Sequence, residues 1–153
     1  MSVRLDQLPP EPSSLAATVA ALRRELTELR AQRPDLSAAD ALLVPQDTDP
    51  TRWPQTTLAT YTIISRSYNV RWNPTLRVLL ATATSGGGAG NVRLMVEGVQ
   101  WGPTVTAGSP LDYTAALPST IAIGDQWQLS VEAQRTSGAG TVHAQIQLLR
   151  SIT

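Results

Sequence analysis

The sequence predicts a mainly β protein, in which an N-terminal α-helical coiled-coil stalk precedes an antiparallel, jelly-roll-like β-sandwich head. Large apolar residues recur at alternating intervals of four and three within residues 14–33. From residue 57 onward, runs rich in Thr, Val, Ile, Tyr and Trp alternate with breaks of Gly, Pro, Ser and Asp. We therefore expect four segments: an extended N-terminal anchor over 1–12, the helix over 13–33, a proline-rich neck over 34–56 and the head over 57–153.

The apolar residues of the helix fit the seam of a heptad repeat, because their mean spacing of about 3.5 residues is that of a coiled coil. Val19 and Leu26 occupy the a positions of this repeat, and the other three leucines occupy the d positions. An acidic residue at g and a basic residue at e are placed to pair between chains. The predicted self-association residues are Leu15, Val19, Leu22, Glu25, Leu26, Leu29 and Arg30.

The stalk leaves two alternatives open. A single amphipathic helix could instead pack on the chain's own head. Val at a with Leu at d favours a coiled coil of two helices. Leu26 at an a position, together with the small Ala16 and Thr18 beside the seam, favours three or more helices. We adopt a homotrimer. Three heptads are short for a stable helix assembly, so we expect the head to self-associate as well.

Residues 1–12 are proline-rich and lack periodicity, which is typical of an extended segment. Val3, Leu5 and Leu8 are the predicted anchor that lies against another protein, and a frayed terminus is the alternative. The segment has no apolar core of a secretory signal, so we expect the chain to be made in a cytoplasm.

The head is predicted to consist of antiparallel strands without an intervening helix. Strict alternation of apolar and polar residues indicates sheets with one buried face. Two similar stretches, Ala81–Val96 and Glu132–Ile146, each place a Gly-rich loop between two strands, which we interpret as two β-hairpins. The predicted strands are 57–67, 68–72, 75–84, 91–99, 103–107, 113–117, 119–123, 127–135 and 141–152.

The composition argues against several functions. Twelve basic and twelve acidic residues balance, which gives no basis for nucleic-acid binding. No apolar run approaches the roughly 20 residues that span a bilayer, so membrane insertion is not expected. The chain has no Cys, and its one histidine, His143, lies on the polar face of a predicted strand, where we expect it to be solvated. We expect no enzyme activity, no metal and no cofactor.

Aromatic residues are the remaining candidates for ligand binding. Trp127 begins an alternating strand on its apolar face and is expected in the core. Trp101 and Tyr113 flank predicted loops, where either ring could stack on a sugar. Either could equally cover the edge of the core or lie between subunits.

The heptad helix, the proline-rich neck and the C-terminal stretch LPSTIAIGDQWQLSVEAQRTSGAGTVHAQIQLLRSIT together resemble the fibre and spike proteins of tailed bacteriophages. The resemblance implies a virion structural protein that is anchored to other virion proteins by its N-terminus and presents its head to host-surface glycans. It also implies candidate contacts in the loops Gly86–Gly90, Trp101–Ser109 and Gly138–Gly140. The short stalk favours a head spike, a capsid fibre or a baseplate accessory protein. A capsid-stabilising protein without a receptor and a free carbohydrate-binding module are the alternatives.

Overall fold

The computed structural model describes residues 12–32, 41–42 and 46–152. The chain divides into two compact units, Met1–Ala38 and Ala39–Thr153. The predicted anchor residues Val3, Leu5 and Leu8 lie outside the described residues. None of the helices in the described part of the chain is long and apolar enough to cross a membrane.

The first unit contains one α-helix, α1 (Pro12–Gln32), of 21 residues. The predicted helix is therefore confirmed, and it begins at Pro12, one residue earlier than expected. Proline is tolerated in the first turn of a helix, since the N–H that it lacks has no intrahelical acceptor there. The helix ends before Pro34, whose ring disfavours the α conformation of the preceding residue. Assembly of α1 into a coiled coil stays a prediction.

The second unit is built from ten described strands in two antiparallel sheets of five strands each. Sheet 1 has the order β1-β10-β4-β8, with β2 also paired to β10, and sheet 2 has the order β3-β9-β5-β6, with β7 also paired to β5. In chain order the strands are β1 (Ala41–Leu42), β2 (Gln55–Thr56), β3 (Thr62–Val70), β4 (Thr75–Ser85), β5 (Ala89–Val96), β6 (Val99–Gln100), β7 (Val105–Thr106), β8 (Leu111–Ala116), β9 (Gln126–Ser137) and β10 (Thr141–Ile152).

One hydrophobic core lies between the two sheets, which gives a sandwich-like, mainly β fold. Sheet 1 supplies every second residue of β4, including Val78 and Leu80, and sheet 2 supplies every second residue of β9, including Leu129 and Val131. The alternation predicted from the sequence is confirmed here, and Trp127 is buried as expected. Assignment to the jelly-roll class stays a prediction.

Two Gly-rich turns connect the sheets, which corrects the prediction of two β-hairpins. The turn at 86–88 joins β4 of sheet 1 to β5 of sheet 2, and the turn at 138–140 joins β9 of sheet 2 to β10 of sheet 1. The two turns pack on each other. A Cβ atom on Gly140 would lie 1.7 Å from the Ser85 carbonyl oxygen, and one on Gly138 would lie 2.3 Å from the Gly87 carbonyl oxygen. The backbones can approach this closely only because both residues are glycine.

Part of the predicted neck runs along β10 within the second unit. Ala41 and Leu42 pair with Arg150 and Leu149, the Gln46 side chain donates to the Gln147 carbonyl at 2.8 Å, and β2 pairs with His143 and Val142. A 3-10 turn, Pro50–Arg52, interrupts this path, and Asp49 caps it by accepting from the Thr51 N–H at 3.0 Å. The side of β10 that faces away from β4 is thereby paired at both of its ends, which keeps these backbone groups of β10 from other chains.

Three predicted strands, 57–67, 68–72 and 119–123, differ from the structure. Residues 119–123 form turns, held by hydrogen bonds from the Ile121 N–H to the Pro118 carbonyl and from the Asp125 N–H to the Ala122 carbonyl. The stretch 62–70, predicted as parts of two strands, is the single strand β3.

Candidate functional site

The helix presents an exposed apolar row at the spacing of the predicted seam. Leu15 is 61% exposed, Val19 42%, Leu22 58% and Leu26 50%. All the side chains from 15 to 28 are exposed, Glu25 included. The side chains of Leu29 and Arg30 lie outside the described ones. An exposed row of large apolar side chains is unfavourable in water, so α1 is a candidate surface for binding another helix.

Trp101 is in the core, which favours the alternative in which its ring covers the edge of the core over the one in which it stacks on a sugar. It is 7% exposed, and its indole N–H donates to the Ala116 carbonyl at 3.0 Å. Its backbone N–H pairs with the Leu94 carbonyl on β5, so the residue between β6 and β7 turns inward. The loop Trp101–Ser109 therefore cannot offer this ring to a ligand.

Tyr113 on β8 is half-buried and packs edge-on against Trp101, with ring centroids 4.8 Å apart. A Cβ atom on Gly102 would lie 2.7 Å from the Tyr113 ring, so the loop backbone also lies against this ring. These contacts support the alternative in which both rings close the edge of the core.

His143 is buried, which corrects the prediction of a solvated side chain. It is 2% exposed, and its Nε2 lies 2.8 Å from the Ser85 Oγ. Burial lowers the pKa of His143, and the charge of Asp49 opposes this shift. The Nδ1 atom has no hydrogen-bond partner among the described residues. The Ser85–His143 hydrogen bond links β4 to β10.

The carboxylates of the head make local contacts. Asp112 accepts from Arg77 at 2.9 and 2.7 Å, and this hydrogen bonding holds the pKa of Asp112 below its usual value. Asp125 accepts from the Ala122 N–H at 3.0 Å. Within the described ranges, no group of three or more His, Asp or Glu residues could hold a metal ion.

The sequence analysis missed four exposed apolar side chains, which we call the apolar patch: Tyr68 and Val70 on β3, Trp72 two residues beyond it, and Ile123 in the turn before β9. Their exposed fractions are 61%, 41%, 62% and 70%. A signal for it is present in the sequence, since Tyr68, Val70 and Trp72 continue one alternation beyond the end of β3. The patch was missed because two strands, 57–67 and 68–72, were predicted where β3 is continuous.

The comparisons with known proteins give no family. No protein-family model and no curated protein matches the chain. A similar solved structure is the EclA C-terminal domain, described as a sugar-binding protein. It is 16% identical with a TM-score of 0.42, and the match covers 77% of this chain and 89% of that chain. At this distance the likeness does not bear on what this chain binds.

Proposed function

We propose that this chain is a non-enzymatic structural protein of a tailed-phage virion, in which α1 joins three copies into a fibre or spike that carries β-rich heads. The observation that carries the proposal is the exposed row of Leu15, Val19, Leu22 and Leu26 at alternating intervals of four and three. That spacing keeps the row facing a partner along the whole helix only when helices supercoil about each other.

The partner for this row is another copy of the same chain. Every copy carries the row, and Glu25 at a g position faces the e position of Arg30 in a parallel assembly. The residues on the opposite side of α1, such as Ala17 and Arg24, carry no large apolar side chain. The virion role itself is supported by the resemblance to phage fibres and spikes, and the N-terminal segment with Val3, Leu5 and Leu8 would be the anchor.

Glycan adhesion by the head is the second part of this proposal, and a capsid-stabilising role is the alternative. Trp101 and Tyr113 were the two candidates for stacking on a sugar, and the burial of Trp101 leaves only Tyr113 of these two. A glycan array with the purified chain separates the two roles. Binding of a defined glycan supports adhesion, and absence of binding across the array favours capsid stabilisation.

A pair of substitutions tests the seam. Leu22→Asp places a charge at a central d position, whereas Ala17→Asp places the same charge on the opposite side of the helix. A charge buried in an apolar interface is strongly unfavourable, so we expect Leu22→Asp to weaken self-association by at least about 100-fold. Multi-angle light scattering over a concentration series measures the effect. If Leu22→Asp and Ala17→Asp self-associate equally strongly, the seam has no role in self-association.

A further inference from the structure

We propose that residues 46–56, which we call the strap, separate from β10 when His143 takes up a proton, so that the head carries an acid-sensitive segment. The strap is the part of the neck that runs along β10 from Gln46 to Thr56. Its separation involves contacts within the head alone. It therefore does not depend on the self-association proposed above.

The strap covers His143, which the core does not reach. His143 lies on the outer face of sheet 1, since its neighbours Val142 and Ala144 point into the core. A side chain on that face is expected to be solvated, yet His143 is 2% exposed. On the side of β10 away from β4, β2 pairs with it and the Pro54 carbonyl accepts from the Ala144 N–H at 3.0 Å. The 3-10 turn Pro50–Arg52 also lies against β10.

The hydrogen bonds of His143 suit its neutral form. Its Nε2 lies 2.8 Å from the Ser85 Oγ, a hydroxyl that can donate or accept. Its buried Nδ1 has no hydrogen-bond partner among the described residues. A protonated imidazole carries an N–H on both nitrogens, so it would place a positive charge and an unpaired donor beneath the strap. Opening the strap to water removes this cost.

The charges around His143 do not offset the cost of protonation. The neighbouring side chains on the same face of β10, β4 and β2 are neutral: Thr141, Gln145, Ala83, Ser85 and Gln55. The charge of Asp49 favours the protonated form, but burial outweighs it and holds the pKa of His143 below its ordinary value. The Thr51 N–H and hydroxyl hold the Asp49 carboxylate at 3.0 and 2.8 Å. Arg52 lies 3.7 Å from Asp49 and 3.8 Å from Asp47, so the charges of this turn also act on each other.

The strap can leave β10 while the sandwich stays folded. The side chains of residues 46–55 are exposed or half-buried, and the described core residues all come from other parts of the head. Some hydrogen bonds of the strap are internal, such as the one from the Trp53 indole N–H to the Asp47 carbonyl at 2.7 Å. A segment with few buried side chains opens at a lower free energy than the whole fold does.

Acid favours the separated state of the strap. With the strap away from β10, His143 is in water and has its ordinary pKa of 6.5, whereas burial beneath the strap lowers this pKa. Below pH 6.5 the separated state therefore binds more protons. Its population rises by up to about tenfold for each pH unit, until the pH reaches the pKa of the covered state. Separation unpairs this end of β10, so acid converts a protected sheet edge into an exposed one.

Thiol labelling of the intact chain measures the separation. The chain has no cysteine, so Thr56→Cys supplies one thiol at a position that is 7% exposed, and iodoacetamide labels it when the strap opens. Thr57→Cys, at the neighbouring exposed position, gives the pH dependence of the labelling reaction itself. We expect the rate for Thr56→Cys, divided by that for Thr57→Cys, to rise at least about threefold from pH 7.5 to pH 5.5. In a His143→Gln background this ratio should not change with pH, because glutamine does not titrate.

A thiol in the core distinguishes separation of the strap from unfolding of the head. Val131→Cys places this thiol between the sheets, at a position that is 1% exposed. We expect Thr56→Cys to be labelled at least about 100-fold faster than Val131→Cys at each pH, because opening of the whole fold is rarer than local opening. Equal rates would show that the strap opens only when the head unfolds, which would overturn the inference.

Two further outcomes would contradict acid-driven separation. A labelling ratio that stays constant or falls at low pH would show that protonated His143 keeps the strap closed, for example by pairing with Asp49. An equal rise in the His143→Gln background would assign the effect to another group.

Hydrogen exchange of the wild-type chain gives an answer even if a variant does not fold. The Ala144 N–H donates to the Pro54 carbonyl of the strap, so its exchange reports separation directly. After correction for the intrinsic pH dependence of exchange, we expect it to exchange at least about threefold faster at pH 5.5 than at pH 7.5. An unchanged corrected rate would overturn the inference.

Discussion

His143 shows how pairing by a distant segment determines the environment of one side chain. The alternation of β10 places it correctly on the face opposite Val142 and Ala144. Its burial could not be predicted from that pattern, because it depends on the segment before β3. Gln55 pairs with His143 there, and the Pro54 carbonyl accepts from the Ala144 N–H at 3.0 Å.

The buried imidazole makes the stability of the fold depend on pH. Burial disfavours the charged form, so the folded state has a lower pKa for His143 than the ordinary 6.5 of the unfolded chain. As the pH falls below 6.5, the unfolded chain takes up a proton before the folded chain does. Neutral His143 therefore makes its full contribution to the free energy of unfolding above pH 6.5. This contribution is lost progressively as the pH falls from 6.5 to the pKa of the folded state.

Chemical denaturation between pH 5 and 8 tests this dependence. The wild-type free energy of unfolding should decline below about pH 6.5, and His143→Gln should remove that decline. The chain has one histidine, which makes the assignment direct. A decline of the same size in both proteins would show that another group is responsible.

Trp101 is the other residue whose environment the sequence left open. Its position beside Gly102 and Pro103 resembles a loop, yet its indole fills the core and donates to a backbone carbonyl. Trp101→Ala should therefore lower the free energy of unfolding by about 3–5 kcal/mol, as expected for a large core residue. Urea denaturation measures this cost. A loss below about 1 kcal/mol would contradict the core assignment.

At the scale of elements, the two Gly-rich turns explain the weak internal repeat. Each half of the repeat carries the chain from one sheet to the other, and the two crossings pack together where Thr141 pairs with Ser85 and Ala89 pairs with Ser137. The strands and the turns were predictable, because alternation and glycine content are local. Whether each turn joins two strands of one sheet or crosses to the other sheet was not predictable, because both kinds of turn are rich in glycine and follow alternating strands.

Gly140→Ala tests the contact between the turns. Its Cβ would meet the Ser85 carbonyl and the Gly88 N–H, both of which are backbone atoms, so we expect a loss of more than about 3 kcal/mol in the free energy of unfolding. Gly87→Ala is the control, since no atom lies within 4 Å of its added Cβ. Its positive φ alone should cost about 1–2 kcal/mol. Thermal or urea unfolding measures both variants. If Gly140→Ala and Gly87→Ala lower the free energy of unfolding equally, the contact between the turns does not contribute to stability.

At the scale of the whole molecule, the division into a helix and a β-rich unit was predictable, because the heptad period and the alternation are both continuous over many residues. The end of the neck was not predictable. Residues 41–42 and 46–56 lack a clear period, and their two short strands, Ala41–Leu42 and Gln55–Thr56, are defined by pairing with β10. The exposure of Tyr68 and Val70 also depends on tertiary structure, since it follows from which face of β3 packs on the core.

Sedimentation equilibrium of the intact wild-type chain tests the central claim most directly. The proposed function assigns the exposed seam of α1 to contact with other copies of the chain. We predict a reversible species of three times the chain mass of 16.4 kDa at micromolar concentrations, which dissociates on dilution. A single species of 16.4 kDa at every concentration would contradict the account.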